Sequence, residues 1–375
     1  MNRENSRQRR APTRHILVTG YPGFLGKRLV QHLLEREPSA RLYLLVQQKF
    51  LDDARAYIRS VKSSAAGKVK LLSGDIAALH LGLSGDDIRL LEDCITDVYH
   101  LAAISYLKVS DRYMWQVNVQ GTINLLELAG RLPRLRRFNH MSTCYVSGNH
   151  GGVFMEDELD EGQGFRNHYE RTKFEAEKLV RRAAASLPIS IYRPSVVVGD
   201  SRTGEIGRFD GPYTLGMLLA VSADRVPLPL PGRGLAPVHL VPVDYVTEAV
   251  HRLSLDERAV GLTFHLVDPN PLPARRLYRL VAERLGKKTL PVGFSAALVR
   301  LLLKFPGLEK LSRTHRQALD YLSDMVIYHH GNTDRLLGDT DLRCPPVESY
   351  LDRLIEFVRR TVSAPPPEQD TDPLE

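Results

Sequence analysis

Short apolar runs alternate with longer amphipathic stretches along the first 194 residues of the chain. The apolar runs have the length and composition of β-strands and lie at 15–19, 41–46, 68–72, 97–101, 137–142 and 189–192. Between some of these runs, apolar residues recur with α-helical spacing at 24–37, 114–131 and 169–185. This alternation predicts βαβ units and a parallel sheet.

The pattern is less regular after residue 194. Residues 195–237 are rich in glycine and proline, and the helical patterns and one strand-like run that follow lie at 244–255, 262–267, 274–285, 294–305 and 347–360. We therefore expect an α/β fold: a Rossmann-type, doubly wound parallel sheet with a smaller, discontinuous C-terminal substrate lobe. The predicted core is 15–194 with a return segment at about 236–268, and the predicted lobe is 195–235 and 269–360.

Both ends of the chain are predicted to be disordered. Residues 1–14 form an arginine-rich tail, and residues 361–375 combine a proline run with acidic side chains. The net charge of the chain is +7, and the opposite charges of the two tails cancel, so the folded part keeps this positive charge. A positive surface favours anionic ligands or an acidic partner.

The composition of the 375 residues is that of a globular protein, with 43% hydrophobic and 25% charged residues. No uninterrupted apolar run reaches the roughly 18 residues of a transmembrane helix. The three scattered cysteines (Cys94, Cys144 and Cys344) predict neither a disulfide framework nor a zinc site. We therefore expect no metal and a reducing, cytoplasmic location.

A glycine-rich turn joins the first predicted strand to the first predicted helix. Gly20 can make the tight turn, Gly23 lets the backbone approach a pyrophosphate, and Gly26 lets the helix lie close to the sheet. The start of the helix then offers free N–H groups and a positive dipole to an anion. The residues expected to bind a dinucleotide here are Gly20, Tyr21, Pro22, Gly23, Phe24, Leu25 and Gly26.

The end of the second strand indicates which dinucleotide is preferred. An acidic residue at this position would bind a ribose 2′-hydroxyl, whereas a basic residue suits a 2′-phosphate. No acidic residue follows Val46 until Asp52, and Lys49 or Arg28 could meet a phosphate. The sequence favours NADP(H) over NAD(H).

Two later strand ends could complete the cofactor crevice. Asp75 and Ile76 follow the third strand, where the carboxylate could reach an adenine amino group or simply form a turn. Leu101, Ala102 and Ala103 close the fourth strand, and the small alanines leave room for a cofactor.

A tyrosine and a lysine one helical turn apart are candidates for proton transfer. Tyr169 and Lys173 lie on the same face of their predicted helix, and a nearby ammonium favours a phenolate, so that Tyr169 could exchange a proton near neutral pH. Lys173 could also bind the nicotinamide ribose. Ser142 or Thr143, at the end of the fifth strand, could hold a substrate carbonyl opposite the phenol.

Three other features are given a structural interpretation. Cys144 has no matched base that would make it a nucleophile, and His140 is expected in the sheet. The basic residues at 131–137 precede the fifth strand, at the edge opposite the cofactor crevice, so we expect no nucleic-acid binding.

The motifs together resemble the extended short-chain dehydrogenase/reductases. The matching stretches, in family order, are TGYPGFLG at 19–26, GDI at 74–76, HLAA at 100–103, NVQGT at 118–122, STCYVSG at 142–148, YERTK at 169–173 and RPS at 193–195. The resemblance implies that Tyr169 and Lys173 are catalytic and that Thr143 is the active hydroxyl. It also implies that Asn118 orders a proton-relay water, and it adds Pro194 and Ser195 to the cofactor site.

Within that superfamily the chain is most similar to the thioester-reductase and fatty acyl-CoA reductase (male-sterility-like) branch. The stretches that carry this likeness include VNVQGTINLLELA at 117–129, FEAEKLV at 174–180, PVDYV at 242–246 and FHLVDP at 264–269. Members of this branch often carry an arginine about where Gln47 stands, which weakens the inference of NADP(H) preference. The resemblance implies an NAD(P)H-dependent reductase of an acyl thioester or a related hydrophobic carbonyl.

Two other functions remain open at this point: a nucleotide-sugar epimerase or dehydratase, and a non-catalytic NADP-binding regulator. The expected partner is a small-molecule or carrier-bound acyl group, with an acidic carrier protein as one source. The amphipathic segment 296–311 could contact a membrane surface or line an acyl tunnel, with packing inside the lobe as its ordinary role.

Overall fold

Seven parallel strands form the central sheet. The computed structural model describes residues 13–61, 67–105, 109–207, 234–286 and 325–363. The sheet strands are β1 (His15–Thr19), β2 (Arg41–Val46), β3 (Val69–Ser73), β4 (Asp97–His100), β5 (Arg137–Met141), β7 (Ile189–Pro194) and β11 (Thr263–Leu266). Their order across the sheet is β11-β7-β5-β4-β1-β2-β3. This confirms the predicted doubly wound parallel sheet.

Helices cover both faces of the sheet, and the apolar side chains of β1 therefore point into two different cores. Ile16 and Val18 pack with α1 (Phe24–Arg36), α2 (Leu51–Val61) and α7 (Val243–Leu255). Leu17 packs on the opposite face, where α3 (Gly85–Cys94), α5 (Gly121–Ala129) and α6 (His168–Ala183) contribute apolar side chains. Because both faces are buried, the strands are apolar throughout rather than alternating.

The helix predicted at 114–131 consists of three segments. It begins as α4 (Asp111–Trp115), continues through a π-helical turn at Gln116–Gln120 and ends as α5. The apolar spacing alone could not show this turn, because a single wide turn hardly alters the periodicity. Such turns are frequent at functional sites, and this one contains Asn118.

Two of the predicted tail boundaries differ from the structure. Arg14 is buried, pairs with Asp97 at 2.7 Å and with Glu37, and accepts a backbone hydrogen bond from Arg41, so it belongs to the core. At the other end, α10 (Val347–Ser363) continues past residue 360. Residues 1–12 and 364–375 lie outside the described residues.

The predicted lobe is described in part. A third apolar cluster combines β8 (Val196–Val198), α8 (Ala274–Arg284) and α10 with β10 (Leu240–Pro242), which comes from the return segment predicted for the core. Short β9 (Pro237–Val238) and β12 (Leu272–Pro273) pair antiparallel beside it. The predicted segments 208–233, 294–305 and 296–311 lie outside the described residues. The division into core and lobe remains a prediction.

One part of the predicted lobe packs against the core. β13 (Val326–Tyr328) pairs in parallel with β6 (Gly152–Phe154), and α9 (Gly331–Leu337) contributes Leu336 and Leu337 to the cluster that contains β1. The carboxylate of buried Glu156 joins these segments, because it accepts hydrogen bonds from the backbone N–H groups of His265 (2.9 Å) and Asn332 (2.6 Å). In the described ranges, no helix is both long and apolar enough to cross a membrane.

Candidate active site

The turn after β1 is closed so tightly that only glycine fits at two of its positions. Gly20 has φ +84°, and a Cβ on it would lie 2.6 Å from the carbonyl carbon of Leu101. A Cβ on Gly26 would collide with the carbonyl oxygen of Gly20. The N–H of Gly23 donates to that same carbonyl at 3.1 Å. The roles predicted for Gly20 and Gly26 therefore have a direct steric cause.

The start of α1 is suited to an anion. Among the residues that the structure describes, no side chain caps the helix at Gly23 by a hydrogen bond. The N–H groups at the start of a helix, together with the helix dipole, bind phosphate. Beside this turn, the N–H of Ala102 donates to Thr19 Oγ1 (3.2 Å), which holds the end of β4 against the end of β1. The loop therefore fits the pyrophosphate of a dinucleotide.

A second polar group is available where β7 ends. Pro194 is the last residue of the strand, and Ser195 follows it with its hydroxyl buried. Within the described part of the chain this hydroxyl has no hydrogen-bond partner. A buried polar atom of this kind requires a partner, and a ligand in the crevice could supply one.

Asp75, predicted to reach the adenine or to form a turn, and Lys49, predicted to meet the ribose phosphate, take different positions. The carboxylate of Asp75 accepts hydrogen bonds from Gln47 Nε2 (3.0 Å) and from the backbone of Ala77 (2.9 Å), so it already forms a turn. Lys49 lies in a short 3₁₀ helix with its Nζ 5.2 Å from the centroid of the Phe50 ring.

Two cations on α1 differ in their surroundings. Arg28 pairs with Glu205 at 2.8 Å, which engages the guanidinium that the sequence offered as a second phosphate ligand. Lys27, which sequence reasoning did not select, lies one residue after the glycine loop with its Nζ 5.1 Å from the Tyr57 ring centroid on α2. The position of Lys27 directly after Gly26 was the sequence signal that could have identified it as a candidate phosphate ligand.

The structure distinguishes between the two candidate hydroxyls. Thr143 follows β5 and is buried, and its hydroxyl is near enough to Tyr169, in the first turn of α6, to lower the pKa of that phenol. Ser142 faces away from this pair and donates to Glu177 Oε2 at 2.6 Å. Thr143 is therefore the hydroxyl that the fold brings to Tyr169.

Tyr169 is a protonated phenol in this structure. Burial raises its pKa to about 12, and the neighbouring Thr143 hydroxyl acts in the opposite direction. This differs from the expectation that a nearby ammonium would bring the proton exchange of Tyr169 near neutral pH. The main reason is burial of the phenol, and the Nζ of Lys173 donates to the carbonyl oxygen of Met141, 2.7 Å away.

Lys173 is a buried ammonium whose proton is weakly held. Burial lowers its pKa to about 8, and the negative charge of Glu177 opposes that change. One of its three N–H donors is used by Met141, which leaves two for a ligand.

Asn118 connects the loop after β4 to α6. Its Oδ1 accepts from the N–H of Ile104 (2.7 Å), and its Nδ2 donates to the carbonyl of Ile104 (3.0 Å) and to Thr172 Oγ1 (3.0 Å). Both amide hydrogens are thus used by the protein. In this structure the side chain fixes the helix that carries Tyr169 and Lys173, and its predicted role with water remains a prediction.

Cys144 and His140 are both buried. The thiol of Cys144 donates to the carbonyl of Arg193 (3.0 Å), and burial raises its pKa well above the usual range, so it is unsuited to act as a nucleophile. His140 lies in β5, as predicted, with its ring centroid 5.2 Å from that of His100 on the neighbouring strand.

Sequence reasoning missed a buried ion pair behind the site. Arg193 on β7 is fully buried and donates to Glu177 Oε1 at 2.7 Å. Both residues stand in stretches that carry the family resemblance, and the spacing of four between Lys173 and Glu177 was the available signal. In the residues that the structure describes, no group of three or more His, Cys, Asp or Glu side chains is arranged to hold a metal ion.

Comparison with known families agrees with this geometry. The family model for "Male sterility protein", an NAD-binding model, matches residues 18–250, more than half of the chain. The chain belongs to this family. It is an extended short-chain dehydrogenase/reductase of the fatty acyl-CoA reductase branch, as its motifs predicted. The family supports a nicotinamide cofactor.

Individual relatives of this family member fall into two groups. A linear gramicidin synthase of Brevibacillus parabrevis is 26% identical over 373 residues, which covers 92% of this chain and 7% of that protein. Fatty acyl-CoA reductase 1 of Xenopus laevis is 30% identical over 274 residues, which covers 62% of this chain and 53% of that protein. The chain thus spans about half of the reductase and a small part of the synthase.

A solved structure supports the same assignment. The terminal R domain from the myxalamid PKS-NRPS biosynthetic pathway is 29% identical, with a TM-score of 0.82, and the match covers 96% of this chain and 93% of that one. A thiolation-reductase di-domain from an archaeal non-ribosomal peptide synthetase has a TM-score of 0.74 at 19% identity, which shows the fold.

The glycine loop generates the first testable prediction. We expect Gly26→Ala to weaken nicotinamide-dinucleotide affinity by at least about tenfold, because the new Cβ would displace the Gly20 carbonyl that shapes the loop. Fluorescence titration with NADPH and NADH measures this. The matched control is Gly67→Ala, where a Cβ meets nothing within 4 Å. Equal affinity in the two variants would contradict the steric role of Gly26.

Proposed function

We propose that this protein is an NAD(P)H-dependent reductase of acyl thioesters, with the acyl group bound to coenzyme A or to a carrier protein. The observation that carries the proposal is that the hydroxyls of Thr143 and Tyr169 lie together, with Lys173 one helical turn after Tyr169 on α6. This pair lies at the same carboxyl edge of the sheet as the phosphate-binding turn. Relatives named as fatty acyl-CoA reductases support the thioester part of the proposal.

The two hydroxyls would hold the carbonyl oxygen of the substrate. A bound nicotinamide would supply the hydride that attacks the carbonyl carbon. Negative charge then develops on the oxygen, where the hydroxyls of Thr143 and Tyr169 stabilise it. Burial raises the pKa of Tyr169 to about 12, so the phenol is protonated at neutral pH. Tyr169 can therefore donate its proton to this oxygen.

The product of this step is a hemithioacetal, which collapses to an aldehyde and a free thiol. A second round of the same chemistry on the aldehyde would give an alcohol. Lys173 contributes by position: with one donor on Met141, its remaining N–H groups can bind the hydroxyls of the nicotinamide ribose. The role of Asn118 is to hold α6, and therefore Tyr169, against the loop after β4.

The proposed cofactor is NADPH rather than NADH. The described residues between Val46 and Phe50 include no carboxylate, and Lys49 is the middle residue of the 3₁₀ helix Gln48–Phe50 that follows β2. The positive net charge of the chain would help to attract coenzyme A phosphates or an acidic carrier protein. We propose a cytoplasmic location for this reaction.

The decisive experiment is a stoichiometric assay of the purified protein. NADPH and medium- to long-chain acyl thioesters are incubated with it, and NADPH oxidation, thiol release and the aldehyde or alcohol product are measured. We expect one thiol per aldehyde formed. If no thioester releases thiol while a nucleotide sugar is converted without net NADPH consumption, the protein is an epimerase or dehydratase instead. Cofactor binding without any turnover would favour a regulator.

The hydroxyl pair generates a prediction of its own. We expect Tyr169→Phe to retain the fold and cofactor binding and to lose at least about a hundredfold in turnover, the usual scale for a positioned proton donor. Thr143→Val should also lose activity, whereas Ser142→Ala, whose hydroxyl faces Glu177, should lose much less. Single-turnover thiol release measures all three. Near-normal turnover of Tyr169→Phe would exclude it as the proton donor.

Cofactor preference is tested at Lys49. We expect the wild-type protein to bind NADPH more tightly than NADH, and Lys49→Ala to narrow the difference by weakening NADPH binding alone, since only NADPH carries the 2′-phosphate. Isothermal titration with both cofactors measures the change. Lys178→Ala, on α6 and paired with Asp160, is the control for loss of a surface lysine. Equal or reversed wild-type affinities would refute the proposed preference.

A further inference from the structure

A buried carboxylate lies one helical turn after Lys173. Glu177 is fully buried on α6, and the spacing of four residues places it on the same face of the helix as Lys173. Its Oε2 accepts from Ser142 (2.6 Å), and its Oε1 accepts from Arg193 Nη2 (2.7 Å) and Arg181 Nε (3.0 Å). These contacts fix both the position and the rotamer of the carboxylate.

The charge of Glu177 is permanent in the working pH range. Burial by itself acts to raise its pKa, but the charge and hydrogen bonds of Arg193, with help from Arg181 and Ser142, lower it to about 2. A buried carboxylate without such partners would take up a proton instead. Glu177 is therefore an anion whenever the cofactor binds.

The other groups that face Lys173 carry no compensating negative charge. His100 on β4 and His140 on β5 are buried, and burial together with the Lys173 ammonium lowers the pKa of each, so both stay neutral. Tyr169 on α6 is protonated. Among the described residues, Glu177 is the carboxylate whose charge acts on Lys173.

We propose that Glu177 is a positioning residue that acts through Lys173: its fixed negative charge keeps the buried lysine protonated at neutral pH, so that Lys173 can bind the ribose of the cofactor. The inference rests on the proposed function, because it takes Lys173 as a cofactor-binding cation. Glu177 itself reaches neither substrate nor cofactor in this scheme, since its carboxylate is enclosed by Ser142, Arg181 and Arg193.

The direction of the effect follows from the charges. Glu177→Gln keeps the size of the side chain and removes one negative charge, while Arg193 and Arg181 remain. The protonated form of Lys173 then becomes less favourable, and its pKa falls further below the present value of about 8. Because the protonated lysine binds the cofactor, affinity should begin to fall at a lower pH in the variant than in the wild type.

The test is the pH dependence of cofactor affinity. NADPH dissociation constants are measured by fluorescence titration from about pH 6.5 to about pH 9.5 for the wild type, Glu177→Gln and Glu175→Gln. Glu175 is the matched control: it lies on the same helix, is less buried, and does not act on Lys173. We expect the NADPH affinity of the wild type and of Glu175→Gln to decrease around pH 8. For Glu177→Gln, we expect the midpoint of this decrease to lie about one pH unit lower.

A merely structural role for Glu177 gives a different result. Loss of packing or of the Ser142 contact would change the affinity by a similar factor at every pH and leave the midpoint of the fall in place. That outcome overturns the inference, and so does a wild-type affinity that does not fall at alkaline pH. Thermal unfolding of each variant shows whether it is folded before its affinity is interpreted.

A second variant covers the case in which Arg193 cannot stay buried without its partner. Glu177→Gln combined with Arg193→Gln removes both charges of the pair. Because the charge that favours the protonated form of Lys173 is that of Glu177, the midpoint should still move to lower pH in the double variant. An unchanged midpoint in a folded double variant contradicts the proposal.

The result is separable from that of the thioester assay. Affinity titration requires no acyl substrate, so an unchanged midpoint together with thiol release would overturn the role of Glu177 and leave the proposed function intact. A shifted midpoint without thiol release from any thioester would support the role of Glu177 and refute the thioester reaction.

Discussion

The parallel register of the central strands is the constraint on which the rest of the site depends. Thr19 lies beside His100, His100 beside His140, and Met141 beside Tyr192, so β1, β4, β5 and β7 end at one edge. The glycine turn after β1, the Thr143 hydroxyl and Ser195 each follow one of these ends. A slip of one residue in any strand would turn its side chains to the other face of the sheet. The hydrogen bond from Ala102 to Thr19 reinforces this alignment at the point where the cofactor is expected.

Behind that edge, the buried charged side chains differ in how they are paired. Arg193 and Glu177 are enclosed and bonded to each other, so both remain charged despite the cost of removing them from water. Lys173 is equally buried, but its bonded partner is a neutral carbonyl, and its counter-charge acts only through space. Its proton is consequently held weakly, with a pKa of about 8. The paired charges of Arg193 and Glu177 therefore stabilise the fold. Lys173, which is bonded only to a neutral carbonyl, remains able to respond to a ligand.

Much of the candidate site could be predicted from local sequence. The glycine turn, the spacing of Tyr169 and Lys173, and the hydroxyl-rich end of β5 each lie within a few residues, so motif and periodicity are enough to locate them. The choice between Ser142 and Thr143 could not be made from the residues themselves, because adjacent residues point in different directions and only the position of α6 decides which one meets Tyr169. The protonated state of Tyr169 was missed for a related reason: spacing suggested that Lys173 would act on it, whereas the folded lysine turns to Met141.

The sequence by itself determined the order and type of the elements that make up the sheet. Each strand of a doubly wound fold is covered by helices on both faces, so it is visible in the sequence as a continuous apolar run. The sequence also determined the glycine turn after β1, because the glycines there meet a local steric requirement. Only the tertiary structure decided that Arg14 belongs to the core, that β13 pairs with β6, and that Glu177 is held by Arg193. These contacts join residues that are from 16 to more than 170 positions apart. Neither periodicity nor composition carries information about such pairs, because their energy arises only when the folded chain excludes water between them.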